Sequence, residues 1–187
     1  MSGQRTVFLD RDGTINHDVG FLSSPDQLEV LPGVPEALAR LVEHGFRLVV
    51  ATNQSGICRG YYTEADLAAI HARLQSMIEV PVSAWLHCPH HPDLTGPYGR
   101  VCTCRKPGSG LLLQARELLG GEFEGGFMVG DSARDLLAAR DLPIRTVLLR
   151  SGVPIEPQRA KLEEAGAPAT IELDALPAAV DWILEQD

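Results

Sequence analysis

Three short apolar runs in this chain end in the same way, and that repetition limits the fold more than any other feature. Phe8-Leu9 leads into Asp10-Arg11-Asp12-Gly13-Thr14, Val49-Val50-Ala51 into Thr52-Asn53-Gln54-Ser55-Gly56, and Phe127-Met128-Val129 into Gly130-Asp131-Ser132. Short runs that are apolar throughout and closed by polar turn residues read as strands buried on both faces. Longer amphipathic stretches separate them. The alternation predicts an α/β fold with a doubly wound, mostly parallel, Rossmann-like sheet. The carboxyl ends of such strands share one edge, where ligands bind. Asp10, Asp12, Thr52 and Asp131 are therefore expected to converge although they are far apart in sequence.

The pattern predicts strands over 6–9, 48–51, 82–86, 127–129 and 146–149. Helices are expected over 35–44, 63–78, 111–119, 134–140, 157–165 and 176–185. Thr63 with Asp66 three residues on suits a helix start, and Gly45 suits a stop. A length of 187 residues is expected to form one domain, 1–187, with no large cap domain. No apolar run approaches the ~18 residues of a membrane span. The stretch 1–6 is polar, without a secretory pattern, so the expected location is the cytoplasm. Asp and Glu number 25 against 16 Lys and Arg, and no basic run is present, which argues against a nucleic-acid partner. Nothing demands an oligomer, and a monomer is expected.

Asp10, Asp12 and Asp131 offer hard oxygen ligands suited to Mg2+. Without a cation, gathering them would cost repulsion and desolvation. A carboxylate beside a metal can attack phosphorus, and a second one two residues on can act as acid and base. A slow receiver-like phosphoacceptor domain is a competing reading. Its acceptor, however, would sit on a middle strand, away from the acidic pair.

The stretch 87–110 is too long for an ordinary connection and is rich in Pro, Gly, His and Cys. Cys88-x-His90 and Cys102-x-Cys104 supply a Cys3His set that suits a closed, structural Zn2+ site bracing a loop at about 87–106. His91 is the alternative fourth ligand, and buried thiols without metal are the alternative to the site itself. A zinc-braced binding module is the non-enzyme reading. Cys58 stands apart.

Together these segments resemble the four motifs of the haloacid dehalogenase superfamily phosphatases: Asp10-x-Asp12-Gly13-Thr14, then Thr52, then Lys106, then Gly130-Asp131 with Asp135. Asp10-Arg11-Asp12-Gly13-Thr14-Ile15-Asn16, Thr52-Asn53-Gln54-Ser55-Gly56-Ile57, Cys88-Pro89-His90-His91-Pro92 and Cys102-Thr103-Cys104-Arg105-Lys106-Pro107 are similar to the branch that holds the heptose bisphosphate and histidinol-phosphate phosphatases. The longer stretch 92–101 favours the sugar bisphosphate side of that branch. The resemblance implies a phosphoaspartyl mechanism, with Asp10 the nucleophile and Asp12 the general acid and base. It implies Mg2+ on Asp10, Asp131 and the Asp12 backbone carbonyl, and phosphoryl contacts from Thr52 and Lys106. Asn53, Gln54, Ser55 and Arg105 are implied to touch the substrate, a phosphorylated sugar, with Asp18, Val19, Gly20 and Phe21 as a flap over it. Ser132 stands where some relatives carry lysine, Asp141-Leu142-Pro143 interrupts a usually small-residue stretch, and the chain beyond Ser151-Gly152 follows no expected pattern.

Overall fold

Alternation within β1 (Thr6–Leu9) divides the molecule into two layers. Val7 and Leu9 join one core cluster and Phe8 the other, because successive strand residues point to opposite faces. The same parity holds in β2 (Arg47–Asn53), where Leu48 and Val50 lie with Val7, and Val49 and Ala51 with Phe8. A strand covered on both sides must be apolar at every position, which is why these runs show no polar alternation.

The computed structural model describes residues 4–186. Residues 1–3 of the polar N-terminal stretch, and the last residue of the expected 1–187 domain, lie outside the described residues. The remaining strands are β3 (Ala84–Cys88), β4 (Gly126–Gly130), β5 (Ile144–Leu149) and β6 (Ile171–Leu173). Their order is β3-β2-β1-β4-β5-β6, and every pair is parallel. The expected mostly parallel sheet is thus wholly parallel among the described strands. Helices α1 (Val34–Glu43), α2 (Glu64–Ile78) and α6 (Leu176–Glu185) contribute to the core on the Val7 face. Helix α3 (Gly110–Leu119) buries Leu111, Leu112 and Ala115 on the Phe8 face. The other helices are α4 (Ala133–Leu137) and α5 (Ile155–Glu164).

Local chemistry sets the ends. Thr63 accepts from the Asp66 amide while Asp66 accepts from the Thr63 amide at 2.8 Å, the reciprocal cap expected from the spacing. Gly45 follows α1 at φ +80°, a conformation that favours glycine.

The differences from expectation also have local causes. Helix α5 begins at Ile155 rather than 157, because Pro157 in a first turn breaks no helical hydrogen bond. Helix α4 ends at Leu137, after which i to i+3 contacts from Ala139 to Leu136 and from Arg140 to Leu137 tighten the chain. Strand β3 starts two residues later than expected, since the Val82 amide turns to the Gln75 side chain. Strand β6 and a 3-10 turn at Pro25–Gln27 escaped the pattern because three residues carry too little periodicity.

Strand order reverses at β1, which has β2 on one side and β4 on the other. The crevice above that switch point is where a doubly wound sheet binds its ligand, and Asp10 and Asp131 each follow directly on β1 and β4.

Candidate active site

Lys106 is the centre of the site. Its side chain is buried, and Nζ lies 2.9 Å from Asp10 Oδ1 and 2.7 Å from Asp135 Oδ1. Burial alone would push this ammonium down, but the two carboxylates outweigh it and hold it above the ordinary lysine value. Burial likewise opposes ionisation of Asp10, yet Lys106 and then Arg134 hold its carboxyl below the usual range. Both close contacts on Asp10, from Lys106 and from the Arg11 amide at 2.8 Å, fall on Oδ1. Oδ2 takes neither.

The backbone of Lys106 is fixed by Asn53. The Asn53 Nδ2 donates to the Lys106 carbonyl at 3.0 Å, and the Lys106 amide donates to Asn53 Oδ1 at 3.0 Å. Asn53, which the resemblance implies touches substrate, joins the end of β2 to the lysine loop through its amide. Gln54 has the same character. Its Nε2 donates to Asp12 Oδ2 at 3.0 Å and to Thr52 Oγ1 at 2.9 Å, while its Oε1 accepts from Tyr62 Oη at 2.6 Å. Gly56 makes room for that tyrosine, since a Cβ there would sit 2.2 Å from the ring. Ser55 is half-buried. Arg105 is half-buried and spends one donor on the His90 carbonyl at 3.3 Å.

Asp12 is caged. Arg11, wholly buried, donates to it from Nε at 3.1 Å and from Nη2 at 2.9 and 2.8 Å, and Asn16 Nδ2 adds a contact at 3.0 Å. This arginine escaped sequence reasoning because its other partner, His71, is 60 residues away.

Asp10, Asp131 and Asp135 gather within 4.8 Å, so the two strand ends do converge. Burial, then Asp10 and Asp135, push the Asp131 carboxyl up to about 7. Asp131 Oδ2 accepts from the Val153 amide at 3.0 Å, whereas its buried Oδ1 has no hydrogen-bond partner. A buried oxygen left open beside two more carboxylates suits a hard cation. Asp135, singled out in sequence only as a motif member, is otherwise engaged. Its Oδ2 accepts from the Ser132 amide at 3.0 Å and its Oδ1 holds Lys106. Its spacing from Ser132, that of a helix cap, was the available signal. Asp10 and Asp131 are thus the side chains best fitted to Mg2+.

The segment past β5 closes the metal side. Ser151 Oγ donates to the Gly13 carbonyl at 2.7 Å, and a Cβ on Gly152 would lie 1.9 Å from Asp131 Oδ2. Gly152→Ala must therefore displace Asp131. We expect about a 10- to 100-fold weaker apparent affinity for Mg2+, the usual cost of disturbing a metal ligand's support. A Mg2+ titration of turnover checks it.

Asp18, Val19, Gly20 and Phe21 are exposed, and Phe21 meets Tyr61 edge-on with ring centroids 4.8 Å apart. Arg59 lies 5.6 Å from the Phe21 ring.

The cysteine cluster forms beyond β3. Cys88, His90, Cys102 and Cys104 offer ligand atoms all within 4.8 Å of one another. The sulfur separations are 3.2, 3.3 and 3.6 Å, and His90 Nδ1 lies 3.3 Å from Cys104 Sγ. Disulfide sulfurs would be about 2.0 Å apart, while four ligands around one zinc stand well over 3 Å apart, given ~2.3 Å Zn–S bonds. The set suits zinc. His91 Nδ1 instead accepts from the Asp93 amide at 3.3 Å, which favours His90 as the fourth ligand.

Comparison with known proteins agrees with this geometry. A family profile described as HAD-hydrolase-like matches residues 103–178. The chain is 42% identical over 157 residues to the D-glycero-beta-D-manno-heptose-1,7-bisphosphate 7-phosphatase of Escherichia coli strain K12, covering 81% of this chain and 82% of that one. The enzyme of the same name from Photorhabdus laumondii is 38% identical over 186 residues, 97% of each chain. A crystal structure of the D,D-heptose 1,7-bisphosphate phosphatase of B. bronchiseptica, complexed with magnesium and phosphate, superposes with a TM-score of 0.84 at 34% identity, covering 98% of this chain and 99% of that one.

Proposed function

We propose, for a chain that belongs to the HAD-like heptose-1,7-bisphosphate 7-phosphatases, that it removes the 7-phosphate of D-glycero-beta-D-manno-heptose 1,7-bisphosphate. The observation that carries this reading is the buried Lys106 held between Asp10 and Asp135 beside the open oxygen of Asp131. A preorganised cation facing a carboxylate nucleophile suits a transferring phosphoryl group.

Asp10 Oδ2 attacks phosphorus, and the bond from phosphorus to the C7 oxygen breaks. Asp12 gives the departing oxygen its proton. Asp12 then takes a proton from water, which attacks the phosphoaspartate and releases inorganic phosphate. Lys106 and Thr52 meet the phosphoryl oxygens. Asn53 and Gln54 hold Lys106 and Asp12 at the angles these steps need. Magnesium bound by Asp10, Asp131 and the Asp12 backbone carbonyl would neutralise phosphoryl charge as the nucleophile approaches. The flap at 18–21 covers the sugar. Cys88, His90, Cys102 and Cys104 would hold zinc in a structural role.

The test is phosphate release with Mg2+ from both anomers of heptose 1,7-bisphosphate, from fructose 1,6-bisphosphate and from histidinol phosphate. The beta heptose anomer is expected to give the highest kcat/KM, with release from the 7-position. A preference for histidinol phosphate overturns the reading. Arg105 gives one donor to the His90 carbonyl and stands next to Lys106, and its forked guanidinium suits the second phosphate. Arg105→Ala is expected to raise KM for the bisphosphate about 10-fold, the order of one charged hydrogen bond, with kcat little changed. Steady-state kinetics checks the split.

A further inference from the structure

His71 lies in α2, outside every motif of the site, yet it completes the cage around Asp12. Its ring is 8% exposed and stacks on Trp85 at 4.8 Å with a 28° tilt. Its Nε2 lies 3.3 Å from Arg11 Nη1. A guanidinium has only donors, so Nε2 is the acceptor and the ring proton resides on Nδ1. The rest of the Arg11 head is committed. Nε and Nη2 bind Asp12, and Nη2 also reaches Gln54 Oε1 at 3.3 Å.

We infer that His71 is a positioning residue for the general acid, holding Arg11 in the one orientation that aims Asp12 at the leaving oxygen. The inference rests on the role given to Asp12 above. A planar fork is a good lever for this purpose. Fixing Nη1 fixes the plane of the guanidinium, and the plane sets where Nε and Nη2 present the carboxylate. The imidazole is suited to a steady acceptor because it stays uncharged: burial, then Arg11 and His87, push it down to about 3. The same ring lines a cavity of about 440 Å³ with Glu64, Gln75, Trp85 and His87, so the support for Asp12 comes from the α2–β3 side of the molecule.

The experiment compares kcat/KM for heptose 1,7-bisphosphate, whose alkoxide leaving group needs a proton, with kcat/KM for p-nitrophenyl phosphate, whose leaving group does not. The ratio of the two is independent of how much of a variant folds. His71→Phe keeps the stack but removes the acceptor, and is expected to lower the ratio about 10-fold, a part of what a general acid supplies. His71→Gln returns an acceptor near the Nε2 position and is expected to restore most of the ratio. Asp12→Asn is expected to lower it further than either. A wild-type ratio in His71→Phe, with a lowered one in Asp12→Asn, overturns the inference alone. Equally low ratios in His71→Gln and His71→Phe overturn it too, since packing would then be the cause. A wild-type ratio in Asp12→Asn overturns the reading of Asp12, and with it any action of His71 through that carboxylate.

Discussion

Asp10→Asn removes phosphate release while the protein stays folded. The substitution is isosteric and takes away the attacking charge, so turnover is expected to fall by at least ~10³-fold, as when other nucleophiles are deleted. The fold survives because Lys106 keeps Asp135 at 2.7 Å. The buried ammonium is therefore not left alone, the situation that makes breaking a buried pair so costly. Phosphate release measured beside a thermal melt checks both halves. Turnover near the wild-type level would end the phosphoaspartyl mechanism.

Cys104→Ser is expected to produce the second large loss, and through position rather than chemistry. Cys104 contacts Cys88, Cys102 and His90, and it stands two residues before Lys106. Protein prepared without chelator should carry about one zinc per chain on four ligands. The variant should lose that zinc, and turnover should drop about 100-fold, the cost of misplacing a reacting group by roughly an ångström. Metal analysis and limited proteolysis between residues 89 and 105 provide the readout. His90→Ala should behave likewise, whereas His91→Ala should keep its metal, because His91 already serves the Asp93 amide. Zinc-free protein with full activity would remove the bracing role.

What the sequence revealed depended on how local each determinant is. The cap joins Thr63 and Asp66, three positions apart, and was legible. So was the convergence of Asp10 and Asp131, because the rule that gathers strand ends needs only the recognition of strands. The bonds that Asn53 and Gln54 make within the protein were not legible. An amide reads the same in sequence whether it faces a ligand or a loop, and the Lys106 backbone that takes up Asn53 lies 53 residues on. The chain beyond Gly152 followed no expected pattern, yet Val153 donates to Asp131 and a side chain at 152 would collide with that carboxylate. The requirement there is for empty space, and no residue type announces it. Gln158 is similar. It accepts from the Ala133 amide at 3.1 Å and so supports the turn into α4, but only the folded chain brings α5 across.

Among the described strands β1 is made before the others, and one of its two edges has no partner until Gly126–Gly130 follows. Through that interval Val7, Phe8 and Leu9 present open backbone groups on an apolar strand, a template for pairing with the wrong chain. A nascent polypeptide released before β4 would hold the nucleophile but neither Asp131 nor a closed sheet centre. Its fate is aggregation or capture by a chaperone, not partial activity. The strand that carries the nucleophile is thus enclosed only after β2 and β3 have both been made.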